Sequence, residues 1–500
     1  MRVVSLVSSS LLIASAALAQ PAPDPGAPYL AAALQASAYL SSVELPQATG
    51  VAWPASDAPG TYVSTGVDSG AAGIGLFYLR LYRVTGDSAY LNKAHQAADY
   101  VDSQYRANGN YGDYDWLSGV AGGGEFFLAL YAETGDSTFL DRASFAGDWL
   151  VNNAIADASG YHWEFPGVTS VYTSLAHGAG GVALFLARLY QATGNTKYLQ
   201  YAEGAARWLR QFTVPLGNSG IGWKRLTTDT VTYNGWCGGS AGVYFILKKL
   251  WQVTGNADYL NLMLATARGL VAVADWSCPG GGVYSASTGC PVGALPLAAW
   301  GYSTPSYGDY PEIVCHGVAS MLFALFDAYQ RTGDVTFLEA ARAGIRWLEA
   351  AAQVQPQGLR WEHIYGTGLL ESGLLTGTAS IGHAFLRFAR LDPAERQALS
   401  AAAPASEAPL RPQLSSRYLQ EAEAAAQYLL GLADHPQPGQ SRWITYVDKP
   451  AWAADPVGFP VEYDTGWYTG AAGIGIFFLD LHDAVCGIEP DSDELSPLNP

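Results

Sequence analysis

Seven mostly apolar stretches recur along the chain, and each begins at a short glycine-rich motif. The first and last are almost the same, since Gly70-Ala-Ala-Gly73 and Gly470-Ala-Ala-Gly473 both lead into further apolar residues. Weaker copies begin at Gly119, Gly178, Gly239, Gly317 and Gly377. Each stretch is long enough for a helix, and its apolar character on all sides predicts a helix buried in the interior.

Amphipathic segments alternate with these apolar stretches. Five of them follow a Thr-Gly-Asp/Asn-x-x-aromatic-Leu motif that starts at Thr85, Thr134, Thr193, Thr254 or Thr332. Its glycine can take the left-handed conformation that ends one helix, and its Asp or Asn can cap the next. The pattern predicts outer helices near 27–42, 88–104, 137–153, 196–212, 257–273, 336–352 and 415–432.

Apolar helices belong inside and amphipathic helices outside. We therefore predict an all-α fold, an (α/α)7 toroid of seven inner and seven outer helices that share one continuous core. Glycines at the start of each inner helix would let the seven helices approach closely. Insertions at 275–312, 393–414 and 434–467 interrupt the repeat.

Residues 1–19 predict an export signal, because Arg2 precedes an apolar stretch that ends at the small-x-small site Ala17-Leu18-Ala19. The alternative is an uncleaved membrane anchor. We predict a toroid domain at 20–488, a C-terminal tail at 489–500, and a secreted or periplasmic protein. No later segment is long and apolar enough to span a membrane. The net charge of −18 argues against a nucleic-acid partner.

Two of the five cysteines occupy equivalent positions in consecutive repeats. The position two residues before the first glycine of each inner helix, here called the mouth position, holds Asp68, Leu117, Ala176, Cys237, Cys315, Leu375 and Tyr468. Adjacent repeats would bring both sulfurs together beside His316. Two thiolates favour zinc, and three ligands with one open position are typical of catalytic zinc. The alternative is a Cys237–Cys315 disulfide with His316 as a core residue. Cys278 and Cys290 flank a glycine-rich loop and predict a local disulfide.

The motifs Trp236-Cys237-Gly238-Gly239 and Cys315-His316-Gly317 resemble the two zinc motifs of the lanthionine synthetase C-like (LanC-like) family. That family also folds as a seven-hairpin toroid, so the resemblance covers the whole mature chain. It implies that Asp115 is the catalytic acid and His177 the catalytic histidine. It further implies that zinc holds a peptide thiol as a thiolate, which adds to a dehydroamino acid before the resulting enolate is protonated.

One position departs from the family. The cyclases carry an Arg four residues before the first zinc cysteine, where this chain has Tyr233. Tyr233 can donate a hydrogen bond to an enolate, but it brings no fixed positive charge. Family cyclisation is a cytoplasmic step, whereas the predicted signal directs export. The resemblance therefore implies a zinc-dependent thiol addition whose partner is a peptide or a small thiol or alkene substrate.

Two other function classes stay open. A glycan-active toroid would use paired carboxylates without zinc, and Asp115, Glu164, Glu312 and Asp464 are candidates, although no spacing singles out a pair. A non-catalytic peptide-binding module would keep a structural zinc. The structural alternatives for two of the residues are that Asp115 caps a helix and that His177 is a core histidine. Glu125 and His383 share one offset in their repeats and predict structural polar contacts. Tryptophans in the loops before the inner helices predict either a binding rim or loop packing.

Overall fold

The computed structural model describes residues 24–108, 113–165, 167–168, 170–281, 284–285, 289–291, 294–306, 308–392, 416–448 and 462–488. The predicted export signal, the whole 393–414 insertion and the predicted tail at 489–500 lie outside the described residues.

Seven buried helices form the inner wall of a ring, and their bounds agree with the apolar stretches. They are α2 (Ala71–Thr85), α4 (Val120–Thr134), α6 (Ala179–Thr193), α8 (Ser240–Thr254), α10 (Val318–Thr332), α12 (Thr378–Leu391) and α14 (Ala471–Cys486). Consecutive inner helices pack against each other, and α14 packs against α2. The ring is therefore closed.

Seven further helices surround this wall. They are α1 (Ala27–Ser42), α3 (Ser88–Asn108), α5 (Ser137–Asn152), α7 (Thr196–Leu209), α9 (Ala257–Ala272), α11 (Val335–Ala351) and α13 (Arg417–Leu432). Each packs against the inner helix that precedes it in the chain, except α1, which packs against α14. The predicted (α/α)7 toroid is confirmed. No helix in the described part of the chain has the length and apolarity needed to cross a membrane.

The Thr-Gly-Asp/Asn motif makes the turn that its sequence predicts. Gly86, Gly135, Gly194, Gly255 and Gly333 end five inner helices with φ between 67° and 69°. In the second repeat, Asp136 accepts a hydrogen bond of 2.9 Å from the amide of Thr138 and so caps α5. Thr134 donates its hydroxyl to the carbonyl of Leu130 at 2.7 Å, one turn earlier in α4.

A closed circle of backbone hydrogen bonds joins the seven mouth positions. Asp68 donates its amide to Leu117, Leu117 to Ala176, and so on through Cys237, Cys315, Leu375 and Tyr468, whose amide returns to Asp68. The seven N···O distances lie between 2.8 and 3.1 Å. The circle fixes each mouth residue beside its counterpart in the next repeat, at the N-terminal ends of the inner helices.

Short strands occupy the loops that return from outer to inner helices, where the sequence predicted only irregular chain. Four of them form one antiparallel sheet in the order β10-β7-β6-β5: β5 (Thr213–Leu216), β6 (Gly220–Trp223), β7 (Thr232–Tyr233) and β10 (Ser303–Thr304). Five two-stranded sheets pair β1 (Leu45–Pro46) with β2 (Val51–Ala52), β3 (Ile155–Asp157) with β4 (Gly160–His162), β8 (Asp275–Ser277) with β9 (Leu297–Ala299), β11 (Gln353–Gln355) with β12 (Gly358–Arg360), and β13 (Leu370–Glu371) with β14 (Tyr446–Asp448). Two 3-10 turns lie at Arg210–Phe212 and Pro279–Gly281.

The loop tryptophans belong to the core. Five indoles donate to a backbone carbonyl of the neighbouring outer helix at 2.7–3.0 Å: Trp53, Trp163, Trp300, Trp361 and Trp443. All five side chains are buried. The loop-packing interpretation is therefore confirmed for these residues, and they do not form a binding rim.

Glu125 and His383 make structural contacts between inner helices, as predicted, although not with each other. Arg188 on α6 donates to Glu125 on α4 at 3.0 Å. His383 on α12 lies 3.0 Å from Asp480 on α14, and Arg80 on α2 donates to the same carboxylate at 2.8 Å. The ring wall thus contains buried ion pairs that link adjacent repeats.

Candidate metal centre and catalytic residues

The circle of mouth positions brings Cys237 and Cys315 together. Cys237 donates its amide to the carbonyl of Cys315 at 2.8 Å, and their Cα atoms are 5.1 Å apart. His316 follows Cys315 directly. Ligand atoms of the three residues lie within 4.8 Å of one another, so the structure places the predicted metal ligands in one cluster.

In the structure the two sulfurs are joined as a disulfide, which is the alternative that the sequence analysis kept open. A disulfide sulfur carries no thiolate charge, and zinc binds the thiolate form of cysteine. The zinc prediction therefore applies to the reduced protein, in which the same backbone arrangement would present two adjacent thiols. Cys278 and Cys290 are also joined, which confirms the local disulfide predicted for their loop.

His316 has the chemistry of a metal ligand. Its Nε2 lies 3.3 Å from the sulfur of Cys315, and its ring packs edge-on against Tyr302 at 4.8 Å between centroids. Burial, together with the positive charges of His363, Arg225 and His177, lowers its pKa to about 3. The imidazole is therefore neutral near pH 7, which is the form that binds a metal. Its buried Nδ1 has no hydrogen-bond partner among the described residues. The donor set of two cysteines and one neutral histidine fits zinc.

Tyr468 is a residue of this cluster that sequence reasoning missed. Its hydroxyl donates to the sulfur of Cys315 at 2.8 Å. It occupies the mouth position of the seventh repeat, equivalent to that of Cys237 and Cys315. The alignment of mouth positions contained this signal, but the fifth and seventh repeats are not neighbours in the ring. Only the side-chain length of tyrosine lets Tyr468 reach across.

Asp115 and His177 form a hydrogen-bonded pair. The Nδ1 atom of His177 lies 2.7 Å from Oδ2 of Asp115. The other carboxylate oxygen of Asp115 accepts from the amide of Ser118 at 2.7 Å and from its hydroxyl at 3.0 Å. Asp115 is fully buried, whereas the His177 side chain is 43% exposed. The aspartate is therefore enclosed, whereas the histidine side chain is partly open to solvent.

The surroundings of His177 favour its protonated form. Burial lowers the pKa of His177, but the hydrogen bond to Asp115 and the negative charges of Asp115, Asp68 and Asp113 outweigh burial, and its pKa is raised. Burial raises the pKa of Asp68 and Asp113, and the nearby charge of Asp115 raises both further. The mouth thus holds a histidine of raised pKa near several carboxyl groups.

Arg225 stands beside the position where the family carries its Arg. Its guanidinium stacks on the ring of Tyr233 with Cζ 4.6 Å from the centroid, and it donates to the hydroxyl of Tyr302 at 2.6 Å. Its methylene groups lie against Gly238, where a Cβ atom would be 3.0 Å from Cδ of Arg225. Among the described residues, the buried Nε atom of this guanidinium has no hydrogen-bond partner. The side chain places a fixed positive charge next to Tyr233 and Tyr302.

Sequence reasoning missed Arg225 because its approach depends on the loop between β6 and β7. The only sequence signal was a basic residue, eight positions before Tyr233, in a chain with many more acidic than basic residues. Tyr233 itself, predicted as a catalytic residue, lies on β7 and packs against both Arg225 and Tyr302.

The candidate carboxylates of a glycan-active enzyme have separate surroundings. Glu312 is fully buried, and its burial and the charge of Glu362 raise its pKa to about 9. Glu164 accepts a hydrogen bond from Nε2 of His162 at 3.1 Å. Asp464 accepts from the hydroxyl of Thr469, and burial raises the pKa of Asp464. Glu164 and Asp464 have different hydrogen-bond partners, and both carboxylate oxygens of Glu312 lack one among the described residues, so no hydrogen bond joins two of these carboxylates there.

Comparisons with known proteins bear on this site. Residues 102–272 match the model of the family described as Lanthionine synthetase C-like protein. The matched segment includes Asp115, His177, Tyr233 and Cys237 and stops before Cys315. The chain matches none of the curated proteins.

Several solved structures resemble the chain at a distance. Nisin cyclase is 15% identical with a TM-score of 0.41, and the match covers 57% of this chain and 68% of that chain. A sugar epimerase from a ruminal bacterium is 15% identical with a TM-score of 0.43, covering 67% of this chain and 89% of that chain. The unsaturated glucuronyl hydrolase of Bacillus sp. GL1 is 16% identical with a TM-score of 0.44, and the match covers 67% of this chain and 88% of that chain. By sequence, residues 102–272 are therefore similar to the LanC-like family model, in agreement with the resemblance drawn from the motif Trp236-Cys237-Gly238-Gly239.

Proposed function

We propose that this protein is an exported LanC-like zinc protein that, in its reduced form, adds a thiol to an activated alkene such as a dehydroamino acid in a peptide. The observation that carries the proposal is the meeting of Cys237, Cys315 and His316 within 4.8 Å, in the same ring of mouth positions as the Asp115–His177 pair. Four consecutive repeats supply these five residues.

A bound zinc would lower the pKa of a substrate thiol and hold it as a thiolate. Cys237, Cys315 and His316 would hold the zinc. In the addition, the substrate sulfur bonds to the β-carbon of the alkene, the π electrons move toward the adjacent carbonyl, and the α-carbon takes a proton. The net change adds S–H across the double bond.

His177 is the residue placed to deliver that proton. The Asp115 carboxylate accepts from Nδ1, so Nε2 is left as the exposed donor of the imidazolium. Its raised pKa keeps the protonated form available near neutral pH. Arg225, stacked on Tyr233, supplies the positive charge that an enolate oxygen needs and that Tyr233 lacks.

The experiment measures zinc and thioether formation together. The purified protein is reduced under anaerobic conditions, loaded with Zn²⁺ and incubated with a peptide that contains one cysteine and one dehydroalanine. We expect one zinc at this cluster and loss of the free peptide thiol. Cys315→Ala should abolish both, whereas His177→Gln should keep the zinc and slow the reaction about 10²- to 10⁴-fold.

The oxidised protein is the matched control, since its Cys237–Cys315 disulfide leaves no thiolate in the mouth cluster to bind zinc. A reduced protein that binds no zinc, or a Cys315→Ala variant with full activity, would refute the proposal. Zinc binding without thiol addition would instead support the peptide-binding module with a structural metal.

A glycan-active enzyme is the second candidate, because Asp464 combines a raised pKa with a position six residues before Gly470 at the same mouth. Release of reducing sugar that survives Cys315→Ala and is lost in Asp464→Asn would favour it.

A further inference from the structure

The pair formed by α1 and α14 differs from other hairpins of the ring. Five inner helices continue into their outer partner through the Thr-Gly-Asp/Asn turn, with the glycine sixteen positions after the first glycine of the repeat. In the seventh repeat the sixteenth position after Gly470 is Cys486. Its outer partner α1 comes from the other end of the toroid, so no tight turn joins this pair.

Three metal-binding side chains meet at that place. Asp24 precedes α1, and His482 and Cys486 lie in the last turns of α14. Ligand atoms of the three lie within 4.8 Å of one another. The thiol of Cys486 donates to Oδ1 of Asp24 at 3.1 Å, and Nε2 of His482 lies 3.8 Å from Oδ2 of Asp24. Ligands of a tetrahedral zinc are about 3–4 Å apart, given bond lengths of about 2.0–2.3 Å.

The imidazole of His482 is buried and is held in one orientation. Its Nδ1 lies 2.9 Å from Oδ1 of Asp483, and Arg80 donates to the other oxygen of Asp483 at 2.5 Å. The Nε2 atom therefore points toward Asp24 without a hydrogen bond to it. A histidine whose second nitrogen bonds a carboxylate is the usual arrangement at protein zinc sites.

The backbone before α1 is shaped to this cluster. A Cβ atom at Gly26 would come within 2.5 Å of Cδ2 of His482 and within 2.8 Å of the sulfur of Cys486. Glycine at this position thus allows the chain to pass directly over both side chains. Asp24 is held there by the amide of Gly26, which donates to Oδ1 at 2.8 Å.

We infer that Asp24, His482 and Cys486 bind a second divalent metal ion of the zinc type. The ion would link α1 to α14, the outer and inner helices that no turn of the chain connects. The ligand set of one sulfur, one nitrogen and one carboxylate oxygen suits zinc better than calcium or magnesium. The site also gives a role to the one free cysteine. It shares no residue with the mouth cluster, so either proposal can fail without the other.

The test uses a Cys237→Ser/Cys315→Ser background, which removes the mouth cluster. Co²⁺ added to this protein should bind with one ion per chain and produce a thiolate-to-metal absorption band. Zn²⁺ should raise the midpoint of thermal unfolding, and a chelator should reverse the rise. Cys486→Ser should abolish the band and the rise, whereas His435→Gln, which lies outside both clusters, should change neither.

A second measurement covers the case in which the background does not fold. In the wild-type protein, peptide-resolved alkylation reports on Cys486 alone, and saturating Zn²⁺ should slow it at least about tenfold, because the metal must leave before the sulfur reacts. Alkylation at an unchanged rate, or an absorption band that persists in Cys486→Ser, would overturn the inference. In that case Asp24 only accepts hydrogen bonds from the amide of Gly26 and the thiol of Cys486.

Discussion

His177 shows how one hydrogen bond can set the chemistry of a single residue. Because Asp115 raises the pKa of His177, the imidazolium is stabilised in the folded protein. The stability gained from this pair is complete below the unfolded pKa of about 6.5 and is lost as the pH rises through the higher folded pKa. We therefore expect the pKa of His177, measured by NMR titration of its ring proton, to lie above that of an unperturbed histidine and to fall in Asp115→Asn.

The same linkage has a consequence for unfolding. The free energy of unfolding of the wild type should decline more steeply between about pH 6 and pH 8 than that of His177→Gln. Urea titrations at several pH values measure the difference. Equal slopes for the two proteins would show that the pair does not favour the charged histidine.

The structure alone suggests a role for Arg225 in the proposed addition. Arg225→Gln should lower kcat/KM of the proposed addition about 10²- to 10³-fold, as expected when a charge that stabilises an oxyanion is removed. The zinc content should stay unchanged, because Arg225 is not a ligand. Arg225→Lys should not recover the activity, since an ammonium cannot stack on Tyr233 as a planar guanidinium does.

Two variants sharpen this test. Tyr233→Arg in the Arg225→Gln background returns the charge to the family position and should restore part of the activity. Arg210→Gln removes an exposed arginine outside the mouth and should leave the activity unchanged. A loss of zinc that parallels the loss of activity would mean that Arg225 only supports the metal cluster.

At the scale of the element, Gly181 controls how closely α6 approaches the loop before it. A Cβ atom there would collide with the carbonyl of Leu175 and lie 2.6 Å from Cβ of Trp116 in the adjacent repeat. Gly181→Ala should therefore lower the free energy of unfolding by about 1–3 kcal/mol, the usual cost of an overpacked core. Denaturant titration followed by tryptophan fluorescence measures the change.

Gly217 provides the matched control, since a Cβ atom there would meet only Ala272 at an ordinary 3.6 Å. Gly217→Ala should leave the stability unchanged within about 0.5 kcal/mol. If both substitutions lower the free energy of unfolding by the same amount, close approach of the helix to the preceding loop is not the reason for glycine at the start of the inner helices.

The helices could be predicted from the sequence because each signal was strong and repeated. The first outer helix was placed at 27–42 and is observed at Ala27–Ser42, and the apolar stretches gave every inner helix. The strands could not be predicted, because pairs such as β7 and β10 have only two residues and show no alternation. The same limit hid Arg225, whose position depends on the loop between two such strands.

Alignment of the repeats predicted the candidate site, but it could not predict the oxidation state of the cysteines or the contacts across the ring. Equivalent positions predicted the meeting of Cys237 with Cys315, and the structure brings them together. The amino-acid sequence does not encode the oxidation state of a cysteine, so the disulfide and the zinc-binding dithiol both remained as alternatives. Contacts across the ring, such as that from Tyr468 to Cys315, depend on side-chain reach and the curvature of the wall.

For the whole molecule, closure of the ring makes each repeat depend on both of its neighbours. An open solenoid can lose an end repeat by fraying, but the circle of mouth hydrogen bonds and the inner wall have no end. Buried ion pairs cross the joints of this wall. Arg188 and Glu125 join α6 to α4 with side-chain exposures of only 3% and 5%.

Arg188→Met should consequently destabilise the entire toroid and not one repeat alone. Removing the arginine leaves Glu125 buried without its cation, which typically costs about 3–5 kcal/mol. We expect one cooperative unfolding transition at a lower urea concentration, with the same midpoint by circular dichroism and by tryptophan fluorescence. Adding Glu125→Gln to Arg188→Met should recover much of the loss, because the second substitution removes the stranded charge.

Arg417 on α13 provides the surface comparison. It pairs with Glu349 at 2.5 Å, but its side chain is 62% exposed. Arg417→Met should cost less than about 1 kcal/mol, since exposed ion pairs contribute little. If Arg188→Met unfolds in two separate steps, or costs no more than Arg417→Met, then the repeats on either side of this joint unfold independently, and ring closure does not couple them.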